Sequence, residues 1–164
     1  MGDSGPKIYK WPNGTTYQGP LLDGQMDGYG ILTYPNSNKY IGEFAAGMRH
    51  GKGLFIWADG ERYEGDFENN NRSGYGIYHY NNGDAYQGDF LDGLKHGEGV
   101  YSYSNGNIYR GQYEKGRRHG RGRLEYANGS IYEGQYLNDH KHGKGVQSWP
   151  DGRSYEGRAF LQYF

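Results

Sequence analysis

The chain has no cysteine among its 164 residues. Disulfide bridges and thiol catalysis are therefore excluded, although the cellular compartment is not fixed by this absence. It also lacks any run near the roughly 20 apolar residues that a helix needs to cross a bilayer. The opening residues MGDSGPK contain no apolar core of a secretory signal. Pro6 stands where a myristoylation motif after Gly2 needs serine or threonine. The net charge is only −1, so no global basic field gathers nucleic acid, and no nucleic-acid partner is expected. These absences predict a cytoplasmic protein. Asn13, Asn71 and Asn128 match the glycosylation sequon, but without a secretory signal they read as turn residues.

What is present is equally lopsided. Glycine occurs 31 times and tyrosine 19 times; only 34% of residues are hydrophobic, yet 17% are aromatic. So polar and glycine-rich a chain would normally be disordered. The aromatic residues oppose that outcome, because they carry large apolar areas and favour strands.

One period accounts for the pattern. Tyr17, Tyr40, Tyr63, Tyr86, Tyr109, Tyr132 and Tyr155 are each 23 residues apart, and a glycine follows each two residues later. Paired glycines recur in the same register, from Gly28/Gly30 to Gly143/Gly145. This gives six full units, 17–39, 40–62, 63–85, 86–108, 109–131 and 132–154. A half unit at 8–16 precedes them and another at 155–164 follows, after a tail of residues 1–7. Within a unit the apolar period is two, as in a strand. In YIGEF, Tyr40, Gly42 and Phe44 share one face; in GLFIW, Gly53, Phe55 and Trp57 do so. The stretches AAGMRHGK and ADGER read as turns, so each unit is predicted to be a β-hairpin. Glycine between large rings leaves room for an aromatic side chain to lie over bare backbone.

Recurrence also bears on chemistry. His50, His96, His119 and His142 occupy one repeat position, in segments such as GMRHGKG, and look at first like ligands or catalytic groups. Equivalent residues of neighbouring hairpins stand two strands apart, about 10 Å, too far to share a metal. They read as turn histidines bonded to local backbone. The glycine pairs lead into strand rather than helix, unlike a phosphate-binding loop. No cofactor, metal or catalytic residue is expected, and the reading is of a non-enzyme.

These residues resemble the MORN repeat, whose pattern runs Tyr-x-Gly-x-aromatic, then Gly-x-x-His-Gly-x-Gly, an aromatic and a closing glycine. Unit two fits throughout, with Tyr40, Gly42, Phe44, Gly47, His50, Gly51, Gly53, Trp57 and Gly60; unit four fits equally. Unit one departs at Leu21, Asp27 and Ser37, as a capping unit would. Unit three departs at Asn70 and Ser73 and unit six at Asp139; these read as drift. The resemblance implies an all-β fold, an elongated single antiparallel sheet of tandem hairpins, with a scaffolding rather than catalytic role. About 14 strands would span roughly 65 Å.

The expected partner-binding groove is the aromatic face: Tyr40, Phe44, Phe55, Trp57, Tyr63, Phe67, Tyr78, Tyr80, Tyr86, Phe90, Tyr101 and Tyr103. The alternative reading of these rings is the protein's own core. Ile31, Leu54, Ile77, Val100 and Val146 form a thin apolar stripe on the opposite face. Unit five carries six Arg or Lys against two Glu, and its run Lys115, Arg117, Arg118, Arg121 and Arg123 is a candidate patch for an anionic phospholipid or an acidic protein. The leading expectation is an adaptor that holds a protein partner in a cytoskeletal or ciliary (axonemal) assembly, a setting drawn from the family resemblance. A peripheral membrane protein is the runner-up. Open sheet edges would also permit a homodimer.

Overall fold

In the computed structural model, residues 7–159 are described, and no helix occurs among them. The expected tail at 1–7 therefore lies outside the described residues except for Lys7, as does the end of the half unit expected at 155–164. The chain divides into two compact units, one ending at Asn81 and the other beginning at Asn82.

Unit one holds nine strands: β1 (Ile8–Lys10), β2 (Thr16–Gln18), β3 (Leu21–Leu22), β4 (Gln25–Met26), β5 (Gly28–Thr33), β6 (Lys39–Ala45), β7 (Met48–Ile56), β8 (Arg62–Glu68) and β9 (Asn71–His79). Their main-sheet order is β1-β2-β5-β6-β7-β8-β9, with β3 and β4 forming a separate ladder. Unit two holds β10 (Ala85–Leu91), β11 (Leu94–Ser102), β12 (Ile108–Glu114), β13 (Arg117–Glu125), β14 (Ile131–Leu137), β15 (His140–Ser148) and β16 (Ser154–Ala159), in chain order. All these pairings are antiparallel.

The bend of each hairpin is shorter than the sequence reading has it. Only Ala46 and Gly47 turn, with φ of 49° and 79°, and β7 begins at Met48. Two successive residues at positive φ make the turn whose twist matches the flanking strands. His50 thus lies in a strand rather than a turn. The extra residues are absorbed by a bulge: the β6–β7 register shifts between Gly42 and Phe44, beside Gly51 at φ 59°. The same geometry explains two apparent lapses in the repeat. Asn70 (φ 70°) and Asp139 (φ 72°) replace glycine at the second turn position, and Asn and Asp are the side chains that tolerate this region best. The first repeat, 17–39, is broken differently. Pro20 brings no N–H to a ladder, and β3 and β4 pair only with each other before β5 starts.

Each unit's core is a layer of rings lying on glycine. Tyr17, Tyr40, Tyr63, Tyr86 and Tyr109 are fully buried. The Tyr40 hydroxyl donates to the Glu43 carbonyl at 2.9 Å, and Tyr63 repeats this with Asp66 at 3.0 Å. Burial pushes the ionisation of both hydroxyls well above that of free tyrosine.

Successive hairpins are also tied by polar side chains at the repeat-to-repeat turns. Asp84, the one buried carboxylate among the described residues, accepts from the Tyr101 hydroxyl (2.8 Å), the Ser104 N–H (2.8 Å) and Asn82 Nδ2 (3.0 Å). Burial alone would raise its pKa, but these donors together hold it below the ordinary 3.8. A carboxylate depressed in the folded state stabilises fully above its unfolded pKa and loses that contribution as pH falls through its folded value. Asp84→Asn should therefore cost about 2 kcal/mol at pH 7. The gap from wild type in thermal melting should narrow steadily below pH 4, and a gap that stays constant down to pH 2 would refute this account.

Candidate functional site

Within each unit the aromatic residues form two rows on one face. In unit one the inner row runs Tyr17, Phe44, Tyr40, Phe67 and Tyr63, in edge-to-face contacts with centroids 5.0–5.2 Å apart. The outer row runs Tyr34, Phe55, Trp57, Tyr78 and Tyr80, with steps of 6.0, 4.5, 5.1 and 4.4 Å. Unit two repeats the inner row as Phe90, Tyr86, Tyr113, Tyr109, Tyr136 and Tyr132. Of its outer row, Tyr101 and Tyr103 lie 4.5 Å apart.

Exposure sorts the twelve expected groove residues into two sets. Tyr40, Phe44, Phe55, Tyr63, Phe67, Tyr78, Tyr86 and Phe90 are buried, so in this conformation they are core. Trp57, Tyr80, Tyr101 and Tyr103 are half-exposed and reachable from solvent. The reason is geometric: inner-row rings lie flat on glycine beneath their neighbours, whereas Trp57, Tyr80 and Tyr103 stand where strands give way to turns. Tyr78 and Tyr101 hydroxyls are engaged by Glu61 and Asp84, respectively.

A second periodic feature escaped the sequence reading. Arg49, Arg72, Lys95, Arg118 and Lys141 are spaced by 23 residues, and each lies over two or three rings of the aromatic face. Arg49 lies 5.0 Å from the Phe55 ring, and Lys141 lies 3.9 Å from that of Tyr132. The signal was present as a constant offset from the bend glycine, but alternation between Arg and Lys hid it. Two of these cations also clasp the next hairpin. Arg49 Nη2 donates to the Asn70 carbonyl at 2.7 Å, while the Arg49 N–H donates to Asn70 Oδ1 at 2.9 Å. Arg118 does the same with Asp139, at 2.7 and 3.0 Å. Asn70 and Asp139 are thus partners of the arginine before them, not drift.

The basic run of unit five is not one patch. Lys115 sits in the two-residue turn, at φ 50°. Arg118 belongs to the aromatic face, whereas Arg117 pairs in register with Glu114. Arg121 and Arg123 line the opposite face, where Arg123 meets Glu125 (3.0 Å) and Glu133 (3.3 Å). Strand alternation and the bulge at Gly120 put Arg118 on one face and Arg121 and Arg123 on the other. The histidines differ from expectation too. His119 Nε2 approaches Glu114 Oε2 at 3.4 Å, and the buried Nδ1 atoms of His119 and His142 meet no backbone acceptor.

The opposite face differs between the units. In unit one Ile41, Leu54 and Ile77 line a shallow depression with the exposed Tyr29 and Tyr75. In unit two Arg110, Arg121, Arg123 and Lys144 stand with Glu98 and Glu133 around another, of about 630 Å³. The apolar stripe is broken in register: Ile31, Ile41 and Leu54 lie side by side, Glu64 separates Leu54 from Ile77, and Arg110, Arg123 and Glu133 stand between Val100 and Val146.

Comparison with curated proteins gave no match. Among solved structures, the TCP domain of SAS-4 (dCPAP) of Drosophila melanogaster, in complex with a proline-rich motif of Ana2 (dSTIL), is similar in fold. It has a TM-score of 0.59 and 16% identity over 94% of this chain and 85% of that one. The TCP10 domain of Danio rerio CPAP aligns over 93% of this chain and 100% of its own, at 16% identity and a TM-score of 0.35. The MORN repeat pattern matches residues 17–39, 40–62, 63–85, 86–108, 109–131 and 132–152. With ring-on-glycine hairpins recurring at that same period, the chain belongs to the MORN-repeat family.

Proposed function

We propose that the chain is a non-enzymatic scaffold that holds an extended segment of a protein partner against its outer aromatic row, within a cytoskeletal or ciliary assembly. One observation carries the reading. The inner-row rings, with Phe55 and Tyr78, are sealed into the core, while Trp11, Tyr34, Trp57, Tyr80, Tyr103, Tyr126 and Trp149, all at one repeat position, keep part of their surface open to solvent. Amphipathic rings kept at a surface are what partner-binding hot spots are made of. The SAS-4 domain of similar fold, described with a proline-rich motif of Ana2, lends support to an extended partner. The cytoskeletal setting is drawn from the family resemblance. The scattering of the unit-five arginines over two faces gives the phospholipid alternative less support than a single cluster would.

Trp57→Glu should weaken capture of the native partner at least about tenfold. Tyr75→Glu, on the opposite face, should leave it unchanged. Both are read by affinity purification and quantitative mass spectrometry on variants with wild-type melting curves. Undiminished capture by the Trp57 variant would overturn the assignment of this face.

A further inference from the structure

Resting on that reading, we propose that the outer aromatic row of unit one is a docking ladder for an acidic, proline-rich segment in the polyproline II conformation, with proline at every third residue. The first ground is spacing. Trp57 and Tyr80 are joined through Tyr78 by steps of 5.1 and 4.4 Å, so their centroids lie no farther apart than about 9.5 Å. Tyr34 and Trp57, joined through Phe55 by 6.0 and 4.5 Å, lie within about 10.5 Å. Residues at the same repeat position stand two strands apart, at about 4.8 Å per strand, which lies at these upper limits. One turn of polyproline II, three residues at 3.1 Å, is about 9.3 Å. The pitch of an α-helix, about 5.4 Å, and the two-residue repeat of a strand, about 6.8 Å, fall out of step with such a ladder.

The second ground is relief. Each gap between half-exposed rings has a buried ring as its floor, Phe55 between Tyr34 and Trp57, and Tyr78 between Trp57 and Tyr80. A slot walled and floored by aromatic surface suits a pyrrolidine ring. Unit two lacks this construction, because Leu124 and Gln147 occupy two of the equivalent floor positions.

The third ground is polar complementarity. Proline has no N–H, so such a segment offers carbonyl acceptors along a backbone without internal hydrogen bonds. The ladder offers donors. Among the described residues the Trp57 indole N–H and the Tyr34 hydroxyl meet no acceptor. Positive charge stands beside the first slot, where Arg49 lies 5.0 Å from the Phe55 ring; at the second, Arg72 lies 5.1 Å from the Tyr78 ring and is offset by the Glu61 carboxylate on the Tyr78 hydroxyl. Acidic residues between the prolines complement the Arg49 charge.

The test is an NMR titration of the full chain with the twelve-residue peptide (Pro-Pro-Glu)4, read at the three tryptophan indoles. Controls are (Gly-Gly-Glu)4, (Pro-Pro-Lys)4 and an acidic amphipathic helical peptide. The expected result is a saturable shift of the Trp57 indole with the Trp149 indole unmoved, and at least about tenfold weaker binding by each control. Trp57→Ala should weaken the proline peptide about tenfold, and Tyr75→Ala should not. The wild-type indole shift gives a reading that survives any instability of the Trp57 variant. The proposal is overturned if (Pro-Pro-Glu)4 leaves the indoles unmoved, or if any control binds equally well or better. Should that happen while Trp57→Glu still abolishes native capture, only the polyproline identity is wrong. If native capture also survives that substitution, the scaffold reading falls with it.

Discussion

Gly42→Ala should destabilise the protein by about 3 kcal/mol, the upper end of the usual cost of overpacking. A Cβ at Gly42 would stand 2.5 Å from the Gly53 Cα, 2.6 Å from the Lys52 carbonyl oxygen and 2.7 Å from the Tyr40 hydroxyl. Two of these neighbours are backbone of the paired strand, which cannot rotate aside. The third is a ring held by Phe44, by Phe67 and by its hydroxyl bond to Glu43. Relief would require parting β6 from β7 or expelling Tyr40, and either undoes the hairpin. Gly24→Ala is the informative comparison. It has no heavy atom within 4 Å but a φ of 79°, so it should cost only the about 1–2 kcal/mol of left-handed backbone for an L-residue. Urea unfolding with unchanged m-values separates the two. Equal costs would show that crowding beneath the ring is not what selects glycine.

Removing a ring should be the costlier change. Tyr63→Ala is expected to lose about 3–5 kcal/mol, as for other buried aromatic truncations. The ring is fully buried, packs edge-on against Phe67 at 5.2 Å, and covers Gly65 and Gly76. Tyr63→Phe keeps that packing and loses the 3.0 Å bond to the Asp66 carbonyl, so it should cost only about 1 kcal/mol. Calorimetric or denaturant unfolding of the pair would measure ring and hydroxyl separately. A phenylalanine variant as damaged as the alanine one would place the stability in the hydrogen bond instead.

The hairpin array was legible in the sequence because its determinants are local and repeated. Tyr40, Gly42, Gly53 and Trp57 each signal a strand face or a turn within a few residues, and the 23-residue period multiplies the signal. The site was legible only in outline. Alternation places Tyr40 and Trp57 on one face but says nothing about which is sealed, since burial of Tyr40 depends on Phe67, 27 residues on, in the next unit. The bulge at Gly51 was equally invisible. It shifts the register by a step that no alternation rule contains, which is why the histidines and the unit-five arginines were assigned to the wrong surroundings. Arg49 and Asn70 look unrelated until strand pairing brings one bend beneath the next.

That clasp gives the array a polarity. Within unit one the bend N–H of Gly47 donates to the Met26 carbonyl, and that of Asn70 to Arg49; within unit two Gly116 donates to Lys95 and Asp139 to Arg118. Each of these bends gives its N–H to the hairpin before it, and Arg49 and Arg118 give donors back to the bend after. A hairpin lost from either side takes bonds with it, but the roles at each junction are not interchangeable: backbone N–H from the later hairpin, guanidinium from the earlier. An array of nearly identical parts, usually treated as reading the same from either end, therefore has an upstream and a downstream.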